Sequence, residues 1–233
     1  MKLAVIPARG GSKRIPRKNI KLFCGKPMIA YTIENAIKAA CFDKIIVSTD
    51  DLEIAEIAQE FGAETPFLRP DHLSDDHTGT IPVIAHAVDW VNQNINEVNF
   101  ACCLYATAPF IQADSILHGF SKLTEQATDY AFTVTSYAFP IQRAVRITET
   151  SRIEMFNDEF YSVRSQDLEE AFHDAGQFYW GRADAWLNHR PMFHNSSAPI
   201  LLPRNHVQDI DTDEDWQRAE WLFKAMQFEN EQK

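Results

Sequence analysis

Over its first 135 positions the chain alternates between short apolar runs and stripes of apolar residues at helical spacing, and this alternation constrains the fold more than any other feature. Leu3–Ile6, Lys44–Ser48, a stretch around Thr65–Leu68, Phe100–Leu104 and Ala131–Thr135 read as buried strands. Pro27 opens a helix with apolar positions Ile29, Ile33, Ala36, Ile37 and Ala40. Ile54, Ile57, Ala58 and Phe61 stripe a second helix, which Asp50 and Asp51 are placed to cap and Gly62 to stop. Further helices are predicted at about 81–91 and 113–123. Such an order predicts an α/β fold, a mostly parallel sheet with helices on both faces and ligands at the carboxyl ends of the strands. From Ser136 to about Asp174 the alternation stops, which reads as a lobe or insertion. It resumes with GQFYW as a strand, a short helix near Asp184–Asn188, a strand at Ile200–Leu202 and an amphipathic helix from Glu214 to about Phe228.

The first strand runs into a strongly basic loop. Arg9, Lys13, Arg14, Arg17, Lys18 and Lys21 place six of the chain's 22 Lys and Arg residues in thirteen positions, although the formal net charge is -11. A positive pocket in an acidic protein needs an anionic guest. Gly10 and Gly11 let backbone N–H groups approach oxygens, and Ser12 adds a donor, so phosphate is the natural ligand. The loop has neither the GxxxxGK-Ser/Thr nor the GxGxxG pattern, so it belongs to another class of phosphate site. An acidic chain with one basic loop is not built for nucleic acid. Cys24, Cys41, Cys102 and Cys103 lie in no CxxC spacing and read as small hydrophobes rather than metal ligands. A first strand at residue 3 and the lack of a membrane-length apolar run predict a protein without leader or membrane span, working in the cytoplasm. At 233 residues and 45% hydrophobic content, one main domain over 1–233, with a lobe at about 136–174, is expected.

The run IPARGGSKRIPRKN resembles the signature of the cytidylyltransferases that activate nonulosonic (sialic-type) acids. The resemblance continues through Arg69-Pro70, YATAP at Tyr105–Pro109, VRSQDL at Val163–Leu168, GQFY at Gly176–Tyr179 and DIDTDEDW at Asp209–Trp216, all in the family's order. It implies a Rossmann-like nucleotide-diphospho-sugar transferase fold with a small dimerisation lobe. It also implies transfer of CMP from CTP to a nonulosonic acid, and a homodimer in which the lobe reaches the neighbour's sugar site. Sialate enzymes usually read LQPTSP and NGAIY where this chain has LYATAP and AGQFY. The pattern FHDAGQFYWG looks most like the branch acting on pseudaminic acid. The alternatives are the same reaction with N-acetylneuraminate or a legionaminate, and a nucleotide-binding protein that has lost catalysis. Arg9, Lys18, Asp209 and Asp211 weigh against the last.

Carried onto this sequence, the family's pattern assigns the phosphate cradle to Arg9, Ser12, Lys13 and Lys18, on a turn that includes Ala8 and Gly10; Arg14 stands where sialate-type enzymes often have Gly. Asn19 is expected on the base or ribose, and Arg69 with the Asp76–Thr80 loop over the cytosine. Mg²⁺ is the expected metal, since it takes one or two carboxylates plus substrate phosphates. Asp209 and Asp211, separated by one residue on an extended backbone, face the same side and fit that role, while Thr212 or Asp213 suffices to cap the helix that follows. Arg9, Lys18 and Asp211 are the expected catalytic residues. The sugar carboxylate calls for a guanidinium fork. Arg164 is the choice by resemblance, with Gln166 beside it and Arg143 second, although Arg143 also suits a solvated lobe. Tyr105, His173, Asp174, Gln177 and Tyr179 are expected to read the sugar's substituents; Phe178 and Trp180 read as core.

Overall fold

A computed structural model describes residues 1–231. The chain runs through β1 (Lys2–Pro7), the two-residue strands β2 (Leu22–Phe23) and β3 (Lys26–Pro27), α1 (Met28–Lys38), β4 (Lys44–Ser48), α2 (Leu52–Glu60), α3 (Thr80–Asn94), β5 (Phe100–Leu104), α4 (Ala113–Glu125) and β6 (Tyr130–Ser136). A small hairpin, β7 (Val145–Ile147) with β8 (Ile153–Met155), precedes β9 (Phe172–Arg182), α5 (Ala183–Leu187), β10 (Ser197–Leu201) and α6 (Asp213–Glu231).

Six strands form the central sheet in the order β10-β6-β9-β5-β1-β4. Every neighbouring pair is parallel except those made by β9, which runs against both β5 and β6. The alternation of the strands divides the core. Ala4 and Ile6 face the layer of α1, α2 and α4, while Leu3 and Val5 face that of α3 and α5. Cys102 and Cys103 split the same way, are fully buried and unpaired, and burial pushes both thiols up, so they behave as small core hydrophobes. A third cluster docks α6: Phe23 meets Tyr31, Trp216 and Phe223 edge-to-face at 5.4–5.7 Å. This anchor fixes the stretch that carries Asp209 and Asp211.

The strand expected around Thr65–Leu68 is not formed. Two isolated parallel bridges, Glu64 to Ile46 and Leu68 to Thr49, take its place, because Pro66 between them has no N–H to continue a ladder. The strand read from GQFYW begins earlier, at Phe172, and is the antiparallel one. Its first residues therefore lie at the same sheet end as the last residues of β1, β4, β5 and β6. The lobe contains the β7–β8 hairpin and single turns, and it exposes apolar side chains: Phe139 82%, Ile147 79%, Tyr161 77% and Ile153 76%.

Candidate active site

The loop leaving β1 is held from below by acids at the end of β4. Gly10 N–H donates to Asp50 Oδ1 at 2.9 Å, and a Cβ on Gly10 would stand 2.6 Å from Asp51 Oδ2, so the glycine is required by the close approach of that carboxylate. Asp51 also accepts from Ile54 N–H at 3.0 Å, capping α2, and pairs with Arg17, whose left-handed backbone (φ 56°) is kept in place by Asp51 and Glu53. Arg17 holds the Asp51 carboxyl below its usual range. The Asn19 amide donates to Arg9 O at 2.8 Å, pinning the loop from the other side.

The remaining cations of the loop meet acids from elsewhere in the chain. Arg9 donates to Asp76 Oδ1 at 2.7 Å and to Asp75 O at 2.8 Å, and Lys13 also pairs with Asp76. Arg14 reaches Asp211 Oδ2 at 2.5 Å; Lys18 donates to Ile210 O at 2.5 Å and lies 3.3 Å from Asp211 Oδ1. Lys21 lies 3.7 Å from Asp213. Each of the six basic side chains thus has a carboxylate partner, which is how a basic loop persists without phosphate in an acidic protein.

Arg9, Lys13, Arg14 and Lys18 border a cavity of about 260 Å³, which is also lined by Ser12, Asn19, Arg69, Thr80, Tyr105 and Thr107. Arg69 is the unusual group: it is 6% exposed, and its Nε and Nη2 have no hydrogen-bond partner among the described residues. Its nearest carboxylate is Asp50 at 3.8 Å. Burial lowers its pKa, with Arg9 acting in the same direction and Asp50 opposing.

A second cavity, of about 480 Å³, shares Tyr105 and Thr107 with the first and adds His173, Asp174, Gly176, Gln208 and Asp209. Asp209 borders this cavity, and Asp211, beside it on the backbone, bonds the cations of the first. Burial and the neighbouring Asp211 charge raise the Asp209 pKa, and Lys18 moderates the rise. Neither acid is spent on capping: Thr212 and Asp215 cap α6 reciprocally, Asp215 N–H to Thr212 Oγ1 at 3.2 Å and Thr212 N–H to Asp215 Oδ2 at 2.9 Å. Two hard-oxygen donors side by side suit a divalent cation that also has phosphate ligands. No cluster of three or more metal-ligating side chains occurs among the described residues, so the rest of the coordination would fall to substrate and water.

Several expected site residues lie apart from both cavities. Ala8 is buried, with its N–H on Ser48 O at 2.9 Å, and Gly10 N–H is already used by Asp50. Gln177 is buried and donates to His206 O at 2.6 Å; Tyr179 is buried and donates to Asp174 Oδ2 at 2.6 Å. In the lobe, Arg164 is 70% exposed and paired with Asp167 at 2.7 Å, Arg143 reaches only Ser165 Oγ at 3.4 Å, and Gln166 is exposed. Sequence reasoning passed over Asp50, Thr107 and Gln208. Asp50 and Thr107 follow the carboxyl ends of β4 and β5, where the parallel-sheet rule places ligand contacts.

A basic loop after β1, an acid pair before the last helix and a shared wall between two cavities are features that suit nucleotidyl transfer. The sequence profile of the cytidylyltransferase family matches residues 3–230, and the chain belongs to that family. The chain is similar to the pseudaminic acid cytidylyltransferase of Campylobacter jejuni subsp. jejuni serotype O:2, with 44% identity over 96% of this chain and 96% of that protein. It is 31% identical to the CMP-N,N'-diacetyllegionaminic acid synthase of Legionella pneumophila subsp. pneumophila, over 97% of each. Among solved structures, a CMP:2-keto-3-deoxy-manno-octonic acid synthetase complexed with CTP has the same fold, with a TM-score of 0.70, 19% identity and coverage of 97% of this chain and 99% of that one.

Proposed function

We propose that this enzyme transfers CMP from CTP to the anomeric hydroxyl of pseudaminic acid, releasing pyrophosphate. The observation that carries this reading is the pair of cavities sharing Tyr105 and Thr107, one bordered by cations and the other by Asp174 and Asp209. The 44% identity to a pseudaminic acid cytidylyltransferase selects the sugar. CTP lies in the first cavity with its triphosphate on Arg9, Ser12, Lys13 and Lys18 and its base toward Arg69 and Thr80. The sugar acid lies in the second, with its anomeric oxygen in line with the α-phosphorus. That oxygen gives up its proton to solvent and forms the new P–O bond as the bond from the α-phosphorus to the bridging oxygen breaks, the electron pair leaving with pyrophosphate. Lys18 and Arg9 stabilise the charge that gathers on the phosphoryl oxygens and on the departing pyrophosphate. Asp209 and Asp211 would hold Mg²⁺, which supplies charge neutralisation at the α-phosphate when bound. The reaction belongs in the cytoplasm, where CTP is available.

We further read the exposed lobe as a homodimer contact. Phe139, Ile147, Ile153 and Tyr161 are exposed among the described residues, and Arg143, Arg164 and Gln166 stand outside both cavities, as residues serving a neighbour's sugar site would. A legionaminate is the second reading for the sugar, supported by the Legionella relative.

The test is pyrophosphate release from CTP and Mg²⁺ with pseudaminate, N-acetylneuraminate and a legionaminate in parallel. Turnover with pseudaminate is the expected result. Turnover with another of the three alone moves the assignment to that sugar, and none with any of them overturns the reading.

A further inference from the structure

Tyr179 is 2% exposed and borders neither cavity, yet it connects the two. Its hydroxyl donates to Asp174 Oδ2 at 2.6 Å, and its ring packs on Tyr105 with centroids 5.1 Å apart. The Tyr105 hydroxyl in turn is 2.8 Å from Thr80 Oγ1, at the start of α3 in the nucleotide cavity. Tyr105 lines both cavities, Asp174 lines the second and Thr80 the first.

The backbone is built to make this chain of contacts. Asp174 and Tyr179 are five apart, so a regular strand would send them to opposite faces. Here β9 is irregular: two residues of β6, Phe132 and Val134, stand opposite the β9 positions Tyr179 and Asp174, with a register shift between them. Gly176 takes a left-handed conformation (φ 61°) inside this bulge, and its N–H donates to Asp174 Oδ1 at 2.8 Å. Both carboxylate oxygens are therefore held, one by a backbone N–H and one by a buried phenol. Burial raises the pKa of both tyrosines, Tyr105 to about 12, so both phenols remain donors. A carboxylate only accepts, so the Tyr179 proton must point at Asp174, and its oxygen stays open on the side of Tyr105.

We propose that Tyr179 is a positioning residue that never touches substrate: it fixes Asp174 as the acceptor for an N–H or O–H donor on the sugar acid and ties that acceptor to the nucleotide cavity through Tyr105 and Thr80. This rests on the second cavity being the sugar site. Asp174 keeps free lone pairs facing that cavity, and its negative charge turns the substrate's own carboxylate away. The group it recognises is a donor, such as the N–H of an acylamido substituent, so a sugar acid lacking a donor there loses its advantage.

Tyr179→Phe removes one oxygen and leaves the ring packed on Phe132. The expected result is a KM for the sugar acid raised about tenfold, the loss of one charge-assisted hydrogen bond, with kcat nearly unchanged. The calorimetric Kd for CTP measured without sugar should not move. A sugar acid lacking the donor should show the same KM in both enzymes. Tyr105→Phe combined with Tyr179→Phe should raise the KM no further than the larger single effect, because the two act as one unit. An unchanged sugar KM in Tyr179→Phe overturns the proposal while leaving the sugar site intact, and so does an equal loss in CTP Kd. A parent enzyme that turns over no sugar acid overturns the site reading and the proposal together.

Discussion

Arg69 gives the sharpest quantitative test of the nucleotide cavity. Its guanidinium is buried with two unpartnered nitrogens and a carboxylate no nearer than 3.8 Å, and the net effect on its pKa is downward. The direction means that the surroundings disfavour the charge more than Asp50 favours it. Replacing Arg69 by Met keeps most of the volume and removes the orphaned donors. Leaving a buried polar group unsatisfied costs about 1–3 kcal/mol, and part of the gain is offset by the lost attraction to Asp50, so the free enzyme should gain on the order of 1 kcal/mol. For a domain of this size that raises Tm by roughly 2–4 °C. The same nitrogens are what CTP would satisfy. One hydrogen bond to a charged group contributes about 1.5–3 kcal/mol, and with two of them at stake the CTP Kd should rise about 100-fold or more. Thermal melting of both proteins with and without CTP, together with calorimetric titration of CTP, reads both quantities. A variant that melts lower than the parent and binds CTP within twofold of it would show that Arg69 is a structural partner of Asp50, and the argument from its orphaned nitrogens would fail.

Other perturbations separate roles that share the same pocket. Asp76 occupies Arg9 and Lys13 when no phosphate does, so Asp76→Asn should tighten CTP binding severalfold; a weaker Kd would make Asp76 a direct nucleotide contact. Asp211→Ala should abolish pyrophosphate release with Tm nearly unchanged, and a rate close to the parent's would remove Asp211 from the chemistry. If Arg164 serves the neighbouring subunit, Arg164→Ala and Asp211→Ala, each inactive or nearly so, should recover about a quarter of parental sites when unfolded together and refolded, as random pairing in a twofold dimer requires. No recovery would return Arg164 to its own chain. The Asp51 carboxyl titrates below its ordinary 3.8 because Arg17 bonds its charged form. Its contribution to stability is therefore present above that value and lost as pH falls through the lower folded one. Asp51→Asn should flatten the acid limb of a Tm–pH profile, and a parallel profile displaced at all pH values would assign the loss to the helix cap instead.

Periodicity in the sequence carried most of the fold. The β1, β4, β5 and β6 strands and their helices lie close to where apolar spacing put them, because buried parallel strands are short continuous runs bounded by turn residues. The direction of β9 was not readable: GQFYW has the same apolar character whichever way it runs, and orientation is set by the long excursion through the lobe. Thr65–Leu68 has the apolar character of a strand, but Pro66 lacks the N–H that a ladder needs, and only the bridges at Glu64 and Leu68 form. At the site, the charges of the basic loop and the spacing of Asp209 and Asp211 were legible, since both are local patterns. That Gly10 donates to Asp50, that Asn19 bonds its own loop and that Tyr179 points inward depend on contacts 40, 10 and 5 residues apart respectively, and only the folded backbone reveals them.

The opposed strand at the middle of the sheet also governs how the chain comes into being. Until Phe172–Arg182 has been synthesised, β4-β1-β5 and β6 are separate pieces with unpaired inner edges. A nascent chain halted before Phe172 would thus present two open templates for intermolecular pairing rather than a smaller stable protein. The strand that carries Asp174 and Tyr179 is the one that closes both, so the inner edges are sealed in the same event that puts these two side chains in place.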